Sequence, residues 1–167
     1  MIVIVFGVSG AGKTTIGKLL SHELGWHFYE ADAFHSRANI EKMRRGVPLT
    51  DEDRWPWLEN LRELLQRCSE ASENAVVACS ALKRAYRERL RVSDEVKFVL
   101  LRGDYALIEK QLRRRRGHFM NPELLRSQFA DLEEPKPDEG ALTIRLGRNP
   151  QELVEEIKTK LQVISKN

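Results

Sequence analysis

Several things are missing from this 167-residue sequence, and each absence narrows what the chain can be. No apolar run approaches the ~20 residues that span a bilayer, so no membrane role is expected. The brief apolar start runs straight into a glycine-rich turn, which does not read as a secretory signal. Cysteine is scarce: Cys68 and Cys79 are the only two, they fit no metal spacing, and Cys79 lies in an apolar run. They read as reduced packing thiols of a cytoplasmic protein. Charge of one sign is not in large excess either, since a net +3 is too small to imply a nucleic-acid partner. No repeat, low-complexity tract or linker divides the chain. With 41% hydrophobic and 32% charged residues, positions 1–167 read as a single soluble domain.

What is present begins at once. Gly7-Val8-Ser9-Gly10-Ala11-Gly12-Lys13-Thr14 spells G-x-x-x-x-G-K-[ST], the phosphate-cradling loop of P-loop nucleotide-binding proteins. The β-branched run Ile2 to Phe6 before it reads as a buried strand. Ile16, Leu19, Leu20 and Leu24 after it recur at helical spacing up to Gly25. A helix N-terminus offers unpaired N–H groups and the positive end of its dipole to phosphate. Lys13 adds a mobile charge, and the Thr14 hydroxyl can ligate Mg²⁺. Gly7, Val8, Ser9, Gly10, Ala11, Gly12, Lys13, Thr14 and Thr15 are therefore the expected ATP-phosphate contacts, with Ser9 and Ala11 keeping the cradle narrow. A second apolar strand ending in Asp is absent, because the third strand closes on Cys79-Ser80. That argues against motor or switch NTPases, which hold Mg²⁺ through such an aspartate.

The rest of the chain alternates strand and helix. Residues 26–29 form a short aromatic strand leading into Glu30-Ala31-Asp32-Ala33-Phe34-His35. Asn39 to Arg45 reads as a helix, and Pro56 to Arg67 as an amphipathic one after an acidic turn. Strands are expected at Ala75 to Cys79, Val96 to Leu101 and Leu142 to Leu146, with helices over 82–91, Tyr105 to Arg116 and from Asn149 onward. Residues 117–137, bounded by Gly117, Pro135 and Pro137, read as an inserted lid rather than core. The βαβ alternation predicts a parallel sheet covered on both faces, a three-layer α/β fold.

Further strings carry a resemblance. Asp32-Ala33-Phe34-His35, Asn39-Ile40-Glu41-Lys42-Met43, Gly46-Val47-Pro48-Leu49, Asp53-Arg54, Pro56-Trp57-Leu58, Cys79-Ser80-Ala81-Leu82-Lys83 and Tyr86-Arg87 resemble the gluconate kinase (gluconokinase) family. So do Arg115-Arg116-Gly117-His118-Phe119, Ser127-Gln128-Phe129 and Leu132-Glu133. The match runs in order from about residue 5 to about residue 135. The resemblance implies ATP- and Mg²⁺-dependent phosphorylation of D-gluconate to 6-phosphogluconate, in a P-loop kinase fold like that of shikimate kinase with strand order 2-3-1-4-5. It also suggests a homodimer. Ser36 stands where the family usually has Pro, Glu30 where it often has Asp, and Gln111 where it often has Arg.

With that acceptor in view, Asp32 is the expected general base toward the sugar hydroxyl, at a strand end where α/β sheets bind ligands. Glu30, alternating to the other side, is expected to be structural. His35 is a candidate for hydroxyl contacts, or a packing residue. Arg54 and Lys83 are candidates for the gluconate carboxylate, with Arg87 one turn beyond Lys83, and the Ser80 and Ala81 amides close by. The bland alternative for Lys83 and Arg87 is a solvated basic helix face. Arg115 aligns with the family's lid arginine, expected to neutralise charge on the transferring phosphoryl group. Adjacent residues of a helix are ~100° apart, so Arg113 to Arg116 cannot all face one ligand. His118, at the lid hinge, is a further candidate substrate contact, Gln128 is a candidate pocket wall, and Arg148 and Asn149 are candidates beside the adenine. Competing readings are a kinase for another small acid such as shikimate, a nucleic-acid-associated NTPase and a silent nucleotide-binding regulator. A Gly-Gly-Gly turn expected of shikimate kinases is replaced here by Cys79-Ser80-Ala81. The basic stretches lack the interleaved aromatics of a nucleic-acid surface.

Overall fold

The computed structural model describes residues 1–114 and 122–165, with side chains described up to residue 162. At its centre is a five-stranded parallel sheet in the order β2-β3-β1-β4-β5. Its strands are β1 (Ile2–Phe6), β2 (His27–Glu30), β3 (Ala75–Cys79), β4 (Val96–Arg102) and β5 (Leu142–Arg145). β1 is flanked on both sides, Ile2 pairing with Ala75 and with Val96, and Phe6 with Cys79 and with Leu100. It therefore reads as an unbroken apolar run, because both of its faces are covered.

The period of two in β1 feeds two cores. Ile2, Ile4 and Phe6 pack with Trp57, Leu58 and Leu61 of α3 (Asp51–Glu70) and with Tyr86 and Leu90 of α4 (Arg84–Leu90). Val3 and Val5 pack with Ile16 and Leu20 of α1 (Lys13–Leu24), which lies against α7 (Pro150–Ser165) and its Val154 and Ile157. Each fully buried Leu or Ile stabilises the fold by about 1.5–3 kcal/mol. The expected three layers and strand order are both present.

Helix starts follow caps rather than the first apolar repeat. α2 (Arg37–Arg44) begins because the Ser36 hydroxyl accepts from the Asn39 amide at 3.2 Å, so the serine replacing the family's proline has a structural use. α3 begins earlier than its apolar repeat, at Asp51. Thr50 Oγ1 accepts from the Asp53 amide at 3.2 Å, and Asp53 Oδ2 from the Thr50 amide at 2.9 Å. This reciprocal cap is worth roughly 1 kcal/mol, and the helix continues through Pro56. α5 (Tyr105–Arg114) ends just before the expected lid, and α6 (Pro122–Asp131) lies within it. One expectation is corrected here: α6 is not detached from the core, because Leu125 is 1% exposed and packs among the residues around α1.

Candidate active site

The carboxyl end of β1 turns directly into the glycine-rich loop. The Gly7 amide donates to the Ser80 carbonyl at 3.3 Å, tying the loop to the end of β3. Gly10 has φ +82°, and a Cβ there would sit 2.5 Å from Leu112 Cγ of α5, so only glycine fits both the turn and the close approach. α1 has Gly12 as its N-cap, no side-chain cap and no acidic residue in its first turn. Its leading amides are thus not spent on a capping side chain, the arrangement that suits an anionic ligand. Lys13 Nζ folds back and donates to the Val8 carbonyl at 2.9 Å. Val8 and Ala11 are buried, Ser9 is half-buried, and Thr15 lies exposed on the first turn.

β2 delivers two carboxylates. Glu30 Oε2 accepts from the Thr14 hydroxyl at 2.5 Å. Burial raises the Glu30 carboxyl above its ordinary pKa against the lowering effect of Thr14, and the Asp32 charge adds to the rise. Glu30 therefore stands at the phosphate loop. Alternation does not separate it from Asp32, because a period of two puts residues 30 and 32 on one face, and β2 in any case ends at Glu30 before a 3-10 turn over Ala31–Phe34. Asp32, in that turn, is exposed.

Beyond it the chain builds a second cluster. His35 stacks on Trp57 at 4.3 Å between ring centroids, and Trp57 Nε1 donates to the Ala31 carbonyl at 2.8 Å. The ring is thus placed by packing, one of the two readings left open for it. Burial, reinforced by the Arg54 charge and opposed by Asp32, pulls the His35 pKa below its ordinary value and favours the neutral ring. Arg54 is 8% exposed and donates through Nη1 to the Tyr86 hydroxyl at 3.0 Å and to Asp131 Oδ2 at 2.9 Å. Lys83 Nζ donates to Asp51 Oδ1 at 3.0 Å, and the Tyr86 hydroxyl donates to the same oxygen. The hydrogen bond from Lys83 to Asp51 raises the ammonium pKa and keeps it charged. Ala81, between these groups, is fully buried with φ +39°, a conformation L-residues seldom hold without support. Tyr86, Asp51 and Asp131 were not singled out as contributors. Tyr86 and Asp131 reach Arg54 from 32 and 77 positions away, and Asp51 reaches Lys83 from 32, separations that no local pattern marks.

Arg87 is a correction. It is 1% exposed, donates through Nε and Nη2 to Glu139 at 2.7 and 3.0 Å, and through Nη1 to the Ala81 and Leu82 carbonyls at 3.2 and 3.0 Å. With its donors so engaged and its guanidinium 5.1 Å from the Phe6 ring, it braces the loop after β3. The solvated helix face does not apply, and the donors expected for a substrate are held by protein acceptors. Arg84 and Arg89 are paired with Glu88, Asp138 and Glu59, so the basic face of α4 is largely neutralised. At the other end of the sheet, Arg148 pairs with Glu156, while Asn149 Oδ1 caps α7 by accepting from the Glu152 amide at 3.0 Å. A cleft of about 470 Å³ opens before them at the ends of β4 and β5, walled by Gly103, Asp104, Leu107, Phe129, Arg145 and Leu146. Neither Arg148 nor Asn149 lines it. Gln128 is drawn to the phosphate loop, its Oε1 accepting from the Ser9 amide at 2.7 Å. Arg115 and His118 lie outside the described residues.

Among the described residues no group of three or more His, Cys, Asp or Glu is arranged to hold a metal ion. No helix among them is long and apolar enough to cross a membrane. The oxygen donors that do meet, the Thr14 hydroxyl and the Glu30 carboxylate, are hard ligands of the kind Mg²⁺ takes directly or through water.

Comparison with known proteins places this geometry. The family model described as shikimate kinase matches residues 9–162. A gluconokinase of Gluconobacter oxydans is 46% identical over 156 residues, covering 93% of this chain and 88% of that protein. The crystal structure of a gluconokinase from Sinorhizobium meliloti superposes with TM-score 0.89 at 39% identity, over 99% of this chain and 93% of the other. A shikimate kinase from Acinetobacter baumannii, in complex with shikimate, superposes with TM-score 0.62 at 22% identity, over 99% and 93% of the two chains, a likeness of fold.

Proposed function

This chain belongs to the gluconokinase family within the shikimate-kinase-like P-loop kinases, and we propose that it transfers the γ-phosphoryl group of ATP to the terminal hydroxyl of D-gluconate, giving 6-phosphogluconate. The observation that carries this reading is the set of polar and charged groups beyond the phosphate loop. The Thr14 hydroxyl donates to Glu30, and the Arg54 guanidinium donates to Tyr86. The Lys83 ammonium lies 5.8 Å from the Tyr86 ring, and the Asp32 charge acts on both Glu30 and His35. One end suits a triphosphate. The other offers a guanidinium and an ammonium for a carboxylate, with hydroxyl and imidazole partners for a polyol.

In this reading the amides from Ser9 to Thr14 and the Lys13 ammonium hold the β- and γ-phosphates. Asp32 accepts the proton of the attacking hydroxyl as the phosphoryl group is transferred. Arg54 and Lys83 take the gluconate carboxylate and orient the chain of hydroxyls, so that the far end of the substrate meets the phosphate. His35, held neutral against Trp57, offers a ring nitrogen to a hydroxyl. Thr14 and, through water, Glu30 would hold Mg²⁺, which when bound would neutralise charge on the phosphate groups. Arg115 is retained as the lid cation on the strength of the family resemblance.

Purified protein supplied with ATP, Mg²⁺ and a panel of acceptors tests the assignment. ADP formation is expected to depend on gluconate and to be far lower with shikimate or single-stranded DNA. Asp32→Asn is expected to lower kcat by roughly 10²–10⁴-fold while the thermal melt stays in place. Turnover driven by another acid would overturn the substrate assignment, and near-full kcat in Asp32→Asn would overturn the base.

A further inference from the structure

α6 touches both halves of the site at once. Gln128 and Asp131 are three residues apart and so share one helix face. Gln128 Oε1 sits on the Ser9 amide of the phosphate loop at 2.7 Å, and Asp131 Oδ2 sits on Arg54 Nη1 at 2.9 Å. Each contact puts an oxygen acceptor of the protein where a ligand oxygen is expected, a carbonyl in the phosphate cradle and a carboxylate on the carboxylate-binding guanidinium. Beyond Asp131 the chain is anchored: the Glu133 amide donates to the Leu82 carbonyl at 2.9 Å, and Glu133 Oε2 accepts from the Arg84 amide at 2.8 Å.

We propose that α6 is a two-point stand-in for the ligands, with Gln128 holding the place of a phosphate oxygen and Asp131 the place of the substrate carboxylate. A triphosphate displaces the first contact and the acid displaces the second. Asp131 cannot stay on Arg54 beside a second carboxylate without like-charge repulsion, so the exchange moves the end of α6 near its anchor at Glu133. Gln128 is neutral and competes for the amide without repelling phosphate. Because the two contacts share one helix, loss of either weakens the other, and nucleotide and acid favour each other's binding. Each ligand alone binds more weakly than its own contacts allow, since it must displace α6 first.

The Asp131 half rests on the gluconate reading, while the Gln128 half needs only a nucleotide. The test is calorimetric titration of a non-hydrolysable ATP analogue with Mg²⁺, with and without gluconate, on wild type, Gln128→Ala, Gln128→Met and Gln128→Glu. Gln128→Met keeps the packing volume and guards against loss of fold. Both Ala and Met variants are expected to bind the analogue roughly two- to tenfold more tightly than wild type, the size of one net hydrogen bond, with a smaller enhancement by gluconate. Gln128→Glu is expected to bind it more weakly. Analogue affinity that is unchanged in both Ala and Met variants, or lower, overturns the proposal; the latter outcome would make Gln128 a phosphate ligand. If the acceptor assay shows that gluconate is not the substrate, the analogue titration alone still decides the Gln128 contact.

Discussion

Glu139→Ala isolates what the buried ion pair at Arg87 does. In the folded protein the Arg87 and Glu139 side chains are 1% and 6% exposed and share two hydrogen bonds, at 2.7 and 3.0 Å. Removing the carboxylate leaves a guanidinium in a dry site with Nε and Nη2 deprived of acceptors, while Nη1 keeps the Ala81 and Leu82 carbonyls. Breaking one partner of a buried pair in this way costs about 3–5 kcal/mol. At ~2–4 °C per kcal/mol for a chain of this size, the melting temperature should fall by roughly 6–20 °C. Burial would by itself raise the Glu139 carboxyl, but the Arg87 hydrogen bonds and charge and the Lys136 amide outweigh it and hold its pKa below 4.5. A depressed carboxylate contributes stability that is present above its unfolded pKa and lost as pH falls through the folded one. The gap between wild type and Glu139→Gln should therefore be full at pH 7 and shrink as pH drops below 4.5. Urea denaturation at a series of pH values measures both. A loss under ~1 kcal/mol at pH 7, of the size an exposed pair gives, would refute the buried brace.

Two further outcomes follow from the site. Arg54→Lys keeps the charge but gives up the forked donors that meet Tyr86 and Asp131, so KM for gluconate should rise at least tenfold, with KM for ATP nearly unchanged; a rise in the ATP KM alone would move Arg54 to the nucleotide side. Glu30→Gln keeps the hydrogen-bond acceptor for Thr14 but removes the charge, so ADP binding should lose most of its Mg²⁺-dependent gain while binding without Mg²⁺ stays the same or tightens. Calorimetry with and without chelator reads this directly, and an unaltered Mg²⁺ gain would remove Glu30 from the metal site.

The sequence by itself determined whatever depends on neighbours along the chain. The phosphate loop is one contiguous segment whose strand, glycines and helix enforce each other, and the continuous apolar strands required a sheet covered on both faces. The strand order and the gluconokinase assignment came from strings spread over most of the chain, and both stand. The partners of long charged side chains were decided only in three dimensions. Arg87 carries the same local pattern as a ligand-binding arginine one turn after Lys83, but Glu139, 52 residues on, claims it inside the core. Glu30 and Asp32 are two residues apart, so strand alternation cannot tell them apart, and the Thr14 hydroxyl, 16 residues earlier in the chain, sets where Glu30 sits. Gln128 reads in the sequence as a candidate pocket wall and Asp131 carries no local signal; only the fold lays α6 across the site and sets both contacts. The physical reason is common to all of these: hydrogen bonding and charge pairing act over about 3 Å of space, and only the packed sheet sets which distant residues come that close.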